Sequence, residues 1–160
     1  MGEEVEEELE PIAAAPPAEM EPADIVMLLL SVPERVSDLV SGLTDGQLGY
    51  RHGPAFPTAA EVAQHLALTG GGLDATVTAI SLDTEPAAGA ALAGHAVAAQ
   101  LEDWQRHRRR AVDLLRGLPA ESWDKPVGDV TLVEYCRQGL RHELGHLTQL
   151  RNLTALLPIA

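Results

Sequence analysis

The sequence contains few aromatic residues, one cysteine, few basic residues and no long apolar run. Its 160 residues include one Phe, two Tyr and two Trp, and 11 Lys and Arg against 24 Asp and Glu, for a net charge of -13. This composition disfavours proteins that stack bases or bind phosphates. The single cysteine, Cys136, excludes an internal disulfide and is expected to be a core thiol in a reducing cytoplasm. The longest apolar run, Ile25–Leu30, is far shorter than the roughly 20 residues of a membrane helix. We therefore expect a cytoplasmic protein with no nucleic-acid or membrane partner.

Residues 1–21 differ in composition from the rest of the chain. They carry eight of the 24 acidic residues, three prolines and neither Lys nor Arg. A segment of this composition buries too little apolar surface to fold. We therefore predict a disordered acidic tail over residues 1–21, followed by one folded domain over residues 22–158. The acidic start also differs from the basic and apolar segments of a signal peptide.

Apolar residues recur at three-to-four spacing in four segments, and the period-two alternation of strands is nearly absent. The predicted helices cover about residues 22–41, 58–80, 90–116 and 131–157, and residues 43–57 are predicted as a loop. Four amphipathic helices favour an all-α four-helix bundle.

Local signals refine these helices. Pro33 lies inside the first helix and predicts a kink. Thr58 with Glu61, and Thr131 with Glu134, have the spacing of capping boxes at the start of the second and fourth helices. Three successive glycines at residues 70–72 destabilise the second helix by about 1 kcal/mol each relative to alanine. They indicate either a local break or a close approach of another helix.

Three histidines form the candidate metal site. His142 and His146 lie one turn apart in the fourth helix, a spacing that lets both imidazoles bind one metal ion at about 2.0–2.1 Å. His65 lies on the expected inward face of the second helix. Three histidines from two helices would leave an open coordination position, which is typical of catalytic metals. The alternative is that they are ordinary core residues. The expected inward face of the fourth helix holds Leu132, Tyr135, Gly139, His142, His146, Leu150 and Leu153.

Residues 142–146 also spell His-Glu-x-x-His, the motif of zinc proteases, in which the Glu is the general base. Such enzymes usually take a third ligand after the motif, but the 14 residues that follow His146 contain no His, Asp or Glu. No predicted sheet is available to line a substrate cleft. We therefore expect Glu143 to face away from the metal or to serve another partner.

Three segments resemble the DinB/YfiT-like superfamily of small helical metalloproteins. They are LVSGLTDGQL at residues 39–48, FPTAAEVAQHL at residues 56–66 and LRHELGHLTQL at residues 140–150. Their order and spacing extend the resemblance over about residues 23–157. The sequence departs from the family pattern at Leu68 and Gly70, where relatives commonly carry an acidic pair, and at Phe56-Pro57-Thr58, where Trp-Ser is frequent.

The resemblance implies a four-helix bundle with a long crossover, in which His65, His142 and His146 bind a divalent metal such as Zn, Ni or Fe. Characterised relatives include thiol-dependent S-transferases and a maleylpyruvate isomerase, which use low-molecular-weight thiols such as bacillithiol or mycothiol. We therefore expect a homodimeric, metal-dependent S-transferase or hydrolase that acts on a small molecule. The alternatives are a non-enzymatic metal-binding or stress-associated protein, and a bundle without metal.

Arg108, Tyr135 and Gln149 are further candidate site residues. Arg108 falls on the apolar face of the third helix, where an unpaired buried charge is strongly destabilising. It should pair with an inward acid such as Glu61, which we favour, or bind a substrate carboxylate at the mouth of a pocket. Tyr135 and Gln149 border the histidine face, where they would either support the site or pack in the core.

Overall fold

The structure, a computed structural model, describes residues 20–84 and 96–158. Four long helices lie within these ranges: α1 (Pro22–Ser41), α3 (Ala59–Leu82), α4 (Val97–Arg116) and α5 (Leu132–Ala155). Between them lie the short helix α2 (Asp45–Leu48), a 3₁₀ helix (Ala120–Asp124) and a hairpin of β1 (Pro126–Val127) and β2 (Val130–Thr131). The predicted four-helix bundle is confirmed. No helix in the described ranges is long and apolar enough to cross a membrane.

The four long helices pack around one core in the order α1, α4, α3, α5. Both α1 and α3 contact α4 and α5 extensively, whereas α1 and α3 contact each other only sparsely across the bundle. The connections from α1 to α3 and from α4 to α5 therefore run diagonally. This topology places α3 beside α5, and the shared seam of these two helices carries the candidate metal ligands.

Sequence signals at the helix starts are only partly realised. At α3, Thr58 Oγ1 accepts from the Glu61 N–H, and the Glu61 carboxylate accepts from the Thr58 N–H, so this capping box forms. At α5 only half of the predicted box forms. Thr131 Oγ1 accepts from the Glu134 N–H, while the Glu134 carboxylate lies 3.7 Å from Arg137 Nη1.

Two local elements differ from the prediction. The helix α2 forms inside the predicted loop, because Thr44 and Gln47 make a further capping box. The hairpin has two-residue strands, too short for alternation to be visible in the sequence. Its turn places Gly128 at a φ of +63°, which glycine adopts without strain. The predicted helix start at residue 90 lies outside the described residues, and α4 as described begins at Val97.

The packed part of the chain begins before α1. Met20 is buried, and its carbonyl accepts hydrogen bonds from Arg137 Nε and Nη2 at 3.2 and 2.8 Å. Met20 therefore belongs to the packed part of the chain, although it falls within the predicted tail of residues 1–21. Residues 1–19, which hold the rest of the predicted acidic tail, lie outside the described residues.

The helix α3 is continuous through the three glycines at residues 70–72, so they do not mark a break. One of them, Gly70, permits the close approach of α4. A Cβ atom on Gly70 would lie 2.4 Å from Trp104 Nε1, so the indole of α4 can pack here only against glycine. At Gly71 and Gly72, a Cβ would meet no described atom of a neighbouring element within 4 Å. Packing therefore requires Gly70 but neither of the other two.

Candidate metal centre

The helices α3 and α5 bring His65, His142 and His146 together on their shared seam. The centroids of the three imidazole rings are 4.5, 4.6 and 5.3 Å apart. His65 and His142 are exposed and His146 is half-buried, so the cluster lies at the surface of the bundle. The three histidines thus converge as predicted, but they do not point into the interior as predicted.

The candidate ligand atoms of the three histidines all lie within 4.8 Å of one another, and two of their Nε2–Nε2 separations suit one metal ion. The Nε2 atom of His142 is 3.1 Å from that of His146 and 3.5 Å from that of His65. Two ligands about 2.1 Å from a tetrahedral metal ion are about 3.4 Å apart, which is close to both separations. Over residues 20–84 and 96–158, this is the one cluster of metal-ligating side chains found. Three imidazoles therefore fit a divalent metal and leave room for a further ligand.

Gln149 holds one of these imidazoles in place. Its Oε1 atom lies 2.9 Å from His146 Nδ1, and the tautomer that satisfies this contact donates from Nδ1 and keeps the Nε2 lone pair free. The pKa of His65 is lowered by partial desolvation and by the nearby His146 and His142. A lowered pKa favours the neutral imidazole, which is the form that binds metals.

An open groove of about 550 Å³ runs along the seam and is lined at one end by His142, which is the one histidine of the cluster in its lining. Its lining comes from α3 (Thr69, Gly72, Leu73 and Thr76) and α5 (Tyr135, Gln138, Gly139 and His142). A Cβ on Gly139 would lie only 3.0 Å from a methyl carbon of Leu73, so glycine permits the close approach of the two helices here. The groove connects the candidate residue Tyr135 with His142. Its other polar residues were not identified from the sequence, because Thr and Gln on a helix surface carry no distinctive signal.

Glu143 lies on the buried face of α5. The buried residues of this helix are Leu132, Cys136, Leu140, Glu143, Leu147, Leu150 and Leu153. The inward face was predicted wrongly at four positions: Tyr135, Gly139, His142 and His146. In each case the next residue in the sequence is the buried one, which corresponds to about 100° of helix rotation. The cause is Glu143, because a charged residue predicts a solvent-facing position unless a buried partner neutralises it. Burial raises the pKa of the Cys136 thiol on this face to about 12, which is consistent with a core residue.

Arg108 is the centre of a buried ionic cluster. Its side chain is 1% exposed, and Nε donates to Asp74 Oδ1 at 2.5 Å. Nη1 and Nη2 donate to Glu143 Oε1 and Oε2 at 2.8 and 2.5 Å. Nη1 also donates to the carbonyl of Leu29 at 2.8 Å. The guanidinium carbon lies 5.3 Å from the centre of the Trp104 ring, within the range of a cation–π contact.

The acid partners of Arg108 are not the predicted one. Glu61 forms an ion pair with Arg51 at the surface instead. Asp74 was missed, although it is the one formally charged residue of α3 after Glu61 and therefore stands out in an apolar stretch. Arg108 is enclosed and does not line the groove, so the structure does not place it at a pocket mouth. Glu143 is likewise engaged, which agrees with its predicted orientation away from the metal.

The charges of this cluster do not balance when all three groups are ionised. Burial raises the pKa of Asp74 to about 7, against the lowering effect of Arg108. Asp74 Oδ2 has no hydrogen-bond partner among the described residues. Burial lowers the pKa of Arg108, but Glu143 and Asp74 outweigh this effect and the net shift is upward. The cluster is neutral when Asp74 is protonated and the other two are charged.

Pro33 explains why a main-chain carbonyl is available to Arg108. In a regular helix the Leu29 carbonyl would accept from the N–H of residue 33, which proline does not have. Arg108 Nη1 donates to that carbonyl instead, so the buried acceptor is satisfied. Pro33 was predicted to kink the first helix, and α1 continues through it as one helix from Pro22 to Ser41. The carbonyl that Pro33 leaves without a helical donor is where Arg108 of α4 contacts α1.

The fold and the histidine cluster define a helical bundle with a candidate trihistidine metal site between two of its helices. The chain belongs to the DinB superfamily, because the family model matches residues 28–150. The resemblance identified from three sequence segments is therefore confirmed. Comparison with curated proteins finds no match.

A solved structure shares the fold. YfiT from Bacillus subtilis, described as "a probable metal-dependent hydrolase with an unusual four-helix bundle topology", is similar with a TM-score of 0.67. The two sequences are 18% identical, and the match covers 86% of this chain and 87% of YfiT. At this identity the similarity defines the architecture and not the activity.

Proposed function

We propose that the protein is a divalent-metal-dependent enzyme that transfers a low-molecular-weight thiol to a small electrophilic molecule. The observation that carries the proposal is the convergence of His65, His142 and His146, together with a groove that His142 lines. Membership of the DinB superfamily supports it.

Each residue of the site has a part in this proposal. The three histidines would hold the metal, and Gln149 keeps His146 in the tautomer that leaves Nε2 free. When bound, the metal lowers the pKa of a coordinated thiol or water, so that the nucleophile forms near neutral pH. The groove holds the electrophile beside His142, with the Tyr135 side chain along its wall.

The donor set favours a thiol over water as the nucleophile. In the described part of the chain, no carboxylate joins the three imidazoles, and Glu143 is paired with Arg108. A thiol with a pKa of about 8.5 needs less help from a base than water does. The second candidate function is metal-dependent hydrolysis, which is favoured by the structural similarity to YfiT.

Elemental analysis of protein purified without an affinity tag tests the metal site. We expect about one divalent metal ion per chain. The His142→Ala His146→Ala double variant should lose it. His107→Ala, which removes an exposed histidine of α4, should retain it. Equal metal content in the double variant and the wild type would overturn the site.

Activity assays on the metal-loaded protein test the reaction. Bacillithiol or mycothiol is mixed with an electrophile, and loss of the thiol is followed over time. Turnover by the wild type and by His107→Ala, but not by His65→Ala, is the expected result. Ester cleavage without thiol would support the hydrolase instead. Stoichiometric metal without either activity would support the non-enzymatic alternative.

A further inference from the structure

We infer that the groove between α3 and α5 binds an uncharged, mainly apolar substrate body in an extended form, and that Gly72 sets the space available to it. The inference rests on the proposed function, because the metal would bind the head group at the His142 end. The groove extends along α5 from His142 to Tyr135, which are about 10 Å apart along the helix axis. A chain of about eight heavy atoms has this length.

The chemistry of the lining defines the ligand class. Among the described residues that line the groove, none is Asp, Glu, Lys or Arg. The polar groups are the hydroxyls of Thr69, Thr76 and Tyr135 and the amide of Gln138, while Leu73 contributes apolar surface. A carboxylate or phosphate in the groove would lose hydration without gaining an ion pair. The lining therefore fits an alkyl or aryl body that carries few hydrogen-bonding groups.

Packing does not require Gly72, which lines the groove. Glycine in a helix interior is destabilising by about 1 kcal/mol relative to alanine. Gly70 is required by Trp104, but a Cβ at Gly72 would meet no described atom of a neighbouring element within 4 Å. Because Gly72 lines the groove, a larger side chain there would occupy the ligand's space. Gly71 has equally open surroundings but does not line the groove, so it provides a matched control.

Three hydroxamic acids test this inference on the metal-loaded protein, because a hydroxamate binds divalent metals at open coordination positions. Acetohydroxamate has almost no body, and octanohydroxamate has an uncharged chain. The third probe is the hydroxamate of the same length that ends in a carboxylate. Dissociation constants are measured by calorimetry for the wild type, Gly72→Leu and Gly71→Leu. Octanohydroxamate should bind the wild type at least about tenfold more tightly than the other two probes.

The two leucine variants separate the groove from the metal site. Gly72→Leu should bind octanohydroxamate no more tightly than acetohydroxamate, while its affinities for the metal and for acetohydroxamate stay at the wild-type values. Gly71→Leu should bind all three probes like the wild type. The inference is overturned if Gly72→Leu binds octanohydroxamate like the wild type, or if the charged chain binds as tightly as the uncharged one.

Failure of the proposed function gives a different result. Wild-type protein that takes up no metal overturns the proposed function and leaves the groove to be tested with octanamide, which needs no metal. Weaker octanamide binding by Gly72→Leu, but not by Gly71→Leu, would then support the groove. Equal binding by all three proteins would overturn it.

Discussion

At two positions of α3, a single neighbouring side chain determines which residue the structure accepts: Arg108 beside Asp74, and Trp104 beside Gly70. Asp74 is buried at 3% exposure and shares Arg108 with Glu143, and burial raises the pKa of its carboxyl to about 7. Gly70 lies under the Trp104 indole, where no side chain fits. Both features have measurable effects on stability.

Replacing Asp74 should change how stability depends on pH. The pKa of Asp74 rises from 3.8 to about 7 on folding, so between these values the folded protein keeps a proton that the unfolded chain has lost. As the pH rises through this range, the group lowers the free energy of unfolding, by up to about 4 kcal/mol. Asp74→Asn keeps an acceptor for Arg108 Nε and should remove this decline.

Urea unfolding between pH 4 and pH 8 measures this effect. The stability difference between Asp74→Asn and the wild type should grow in favour of the variant as the pH rises. Asp113→Asn, at an exposed position of α4, should follow the wild type. Parallel pH profiles for the wild type and Asp74→Asn would contradict the assignment of a raised pKa.

The three glycines of α3 should respond differently to alanine. Gly71→Ala and Gly72→Ala should raise the free energy of unfolding by about 0.5–1 kcal/mol each, because alanine favours the helix and meets open space. Gly70→Ala should lower it by about 1–3 kcal/mol, because its Cβ overlaps Trp104. Thermal or urea unfolding of the three variants is the measurement. Stabilisation by Gly70→Ala equal to that at Gly71 would show that the indole moves freely.

The helices show which features a sequence specifies locally. The observed bounds of α1, Pro22–Ser41, equal the predicted ones, because an initial proline and a following glycine, Gly42, are local signals. The rotation of α5 was predicted wrongly, because the position of Glu143 depends on Arg108 and Asp74 in two other helices. Periodicity finds a buried face only when its charged residues are known to be paired.

The candidate metal site likewise has some features that local sequence predicts and others that only tertiary packing determines. The spacing of His142 and His146 on one helix predicts that they can bind one metal ion, and periodicity adds His65 from the second helix. The family resemblance implies the same three residues. Their surface position follows from the rotation of α5, which local spacing does not determine. The groove depends on the approach of α3 to α5 at Gly139, which is a property of tertiary packing.

A double-mutant cycle should reveal the link between α1 and α4. Arg108→Met leaves the Leu29 carbonyl without the donor that it has in the wild type. Pro33→Ala supplies an N–H to the same carbonyl. We therefore expect Pro33→Ala to stabilise the Arg108→Met background by at least about 0.5–1 kcal/mol more than it stabilises the wild type. Additive effects in urea unfolding would show that the two donors do not share this acceptor.

The ionic cluster is a feature of the whole molecule. It contains one residue from each long helix: Leu29 of α1, Asp74 of α3, Arg108 of α4 and Glu143 of α5. Successive long helices lie diagonally across the bundle, as α1 does from α3 and α4 does from α5. The loops that connect them therefore do not make them neighbours, and the ionic cluster links all four at the centre. Removing one partner from a buried ionic group typically destabilises a protein by about 3–5 kcal/mol.

We expect the cluster also to determine how long the native state persists. Every hydrogen-bond partner of Arg108 is at least 34 residues away in sequence, so no two-helix fragment can complete the arrangement. We expect these contacts to be completed after the folding barrier has been crossed, so that they stabilise the native state more than the transition state. In stopped-flow experiments, Arg108→Met should therefore accelerate unfolding strongly and leave the refolding rate nearly unchanged. A slower refolding rate would place the cluster in the folding nucleus. On the expected result, the paired charges prolong the lifetime of the folded protein without affecting how quickly it forms.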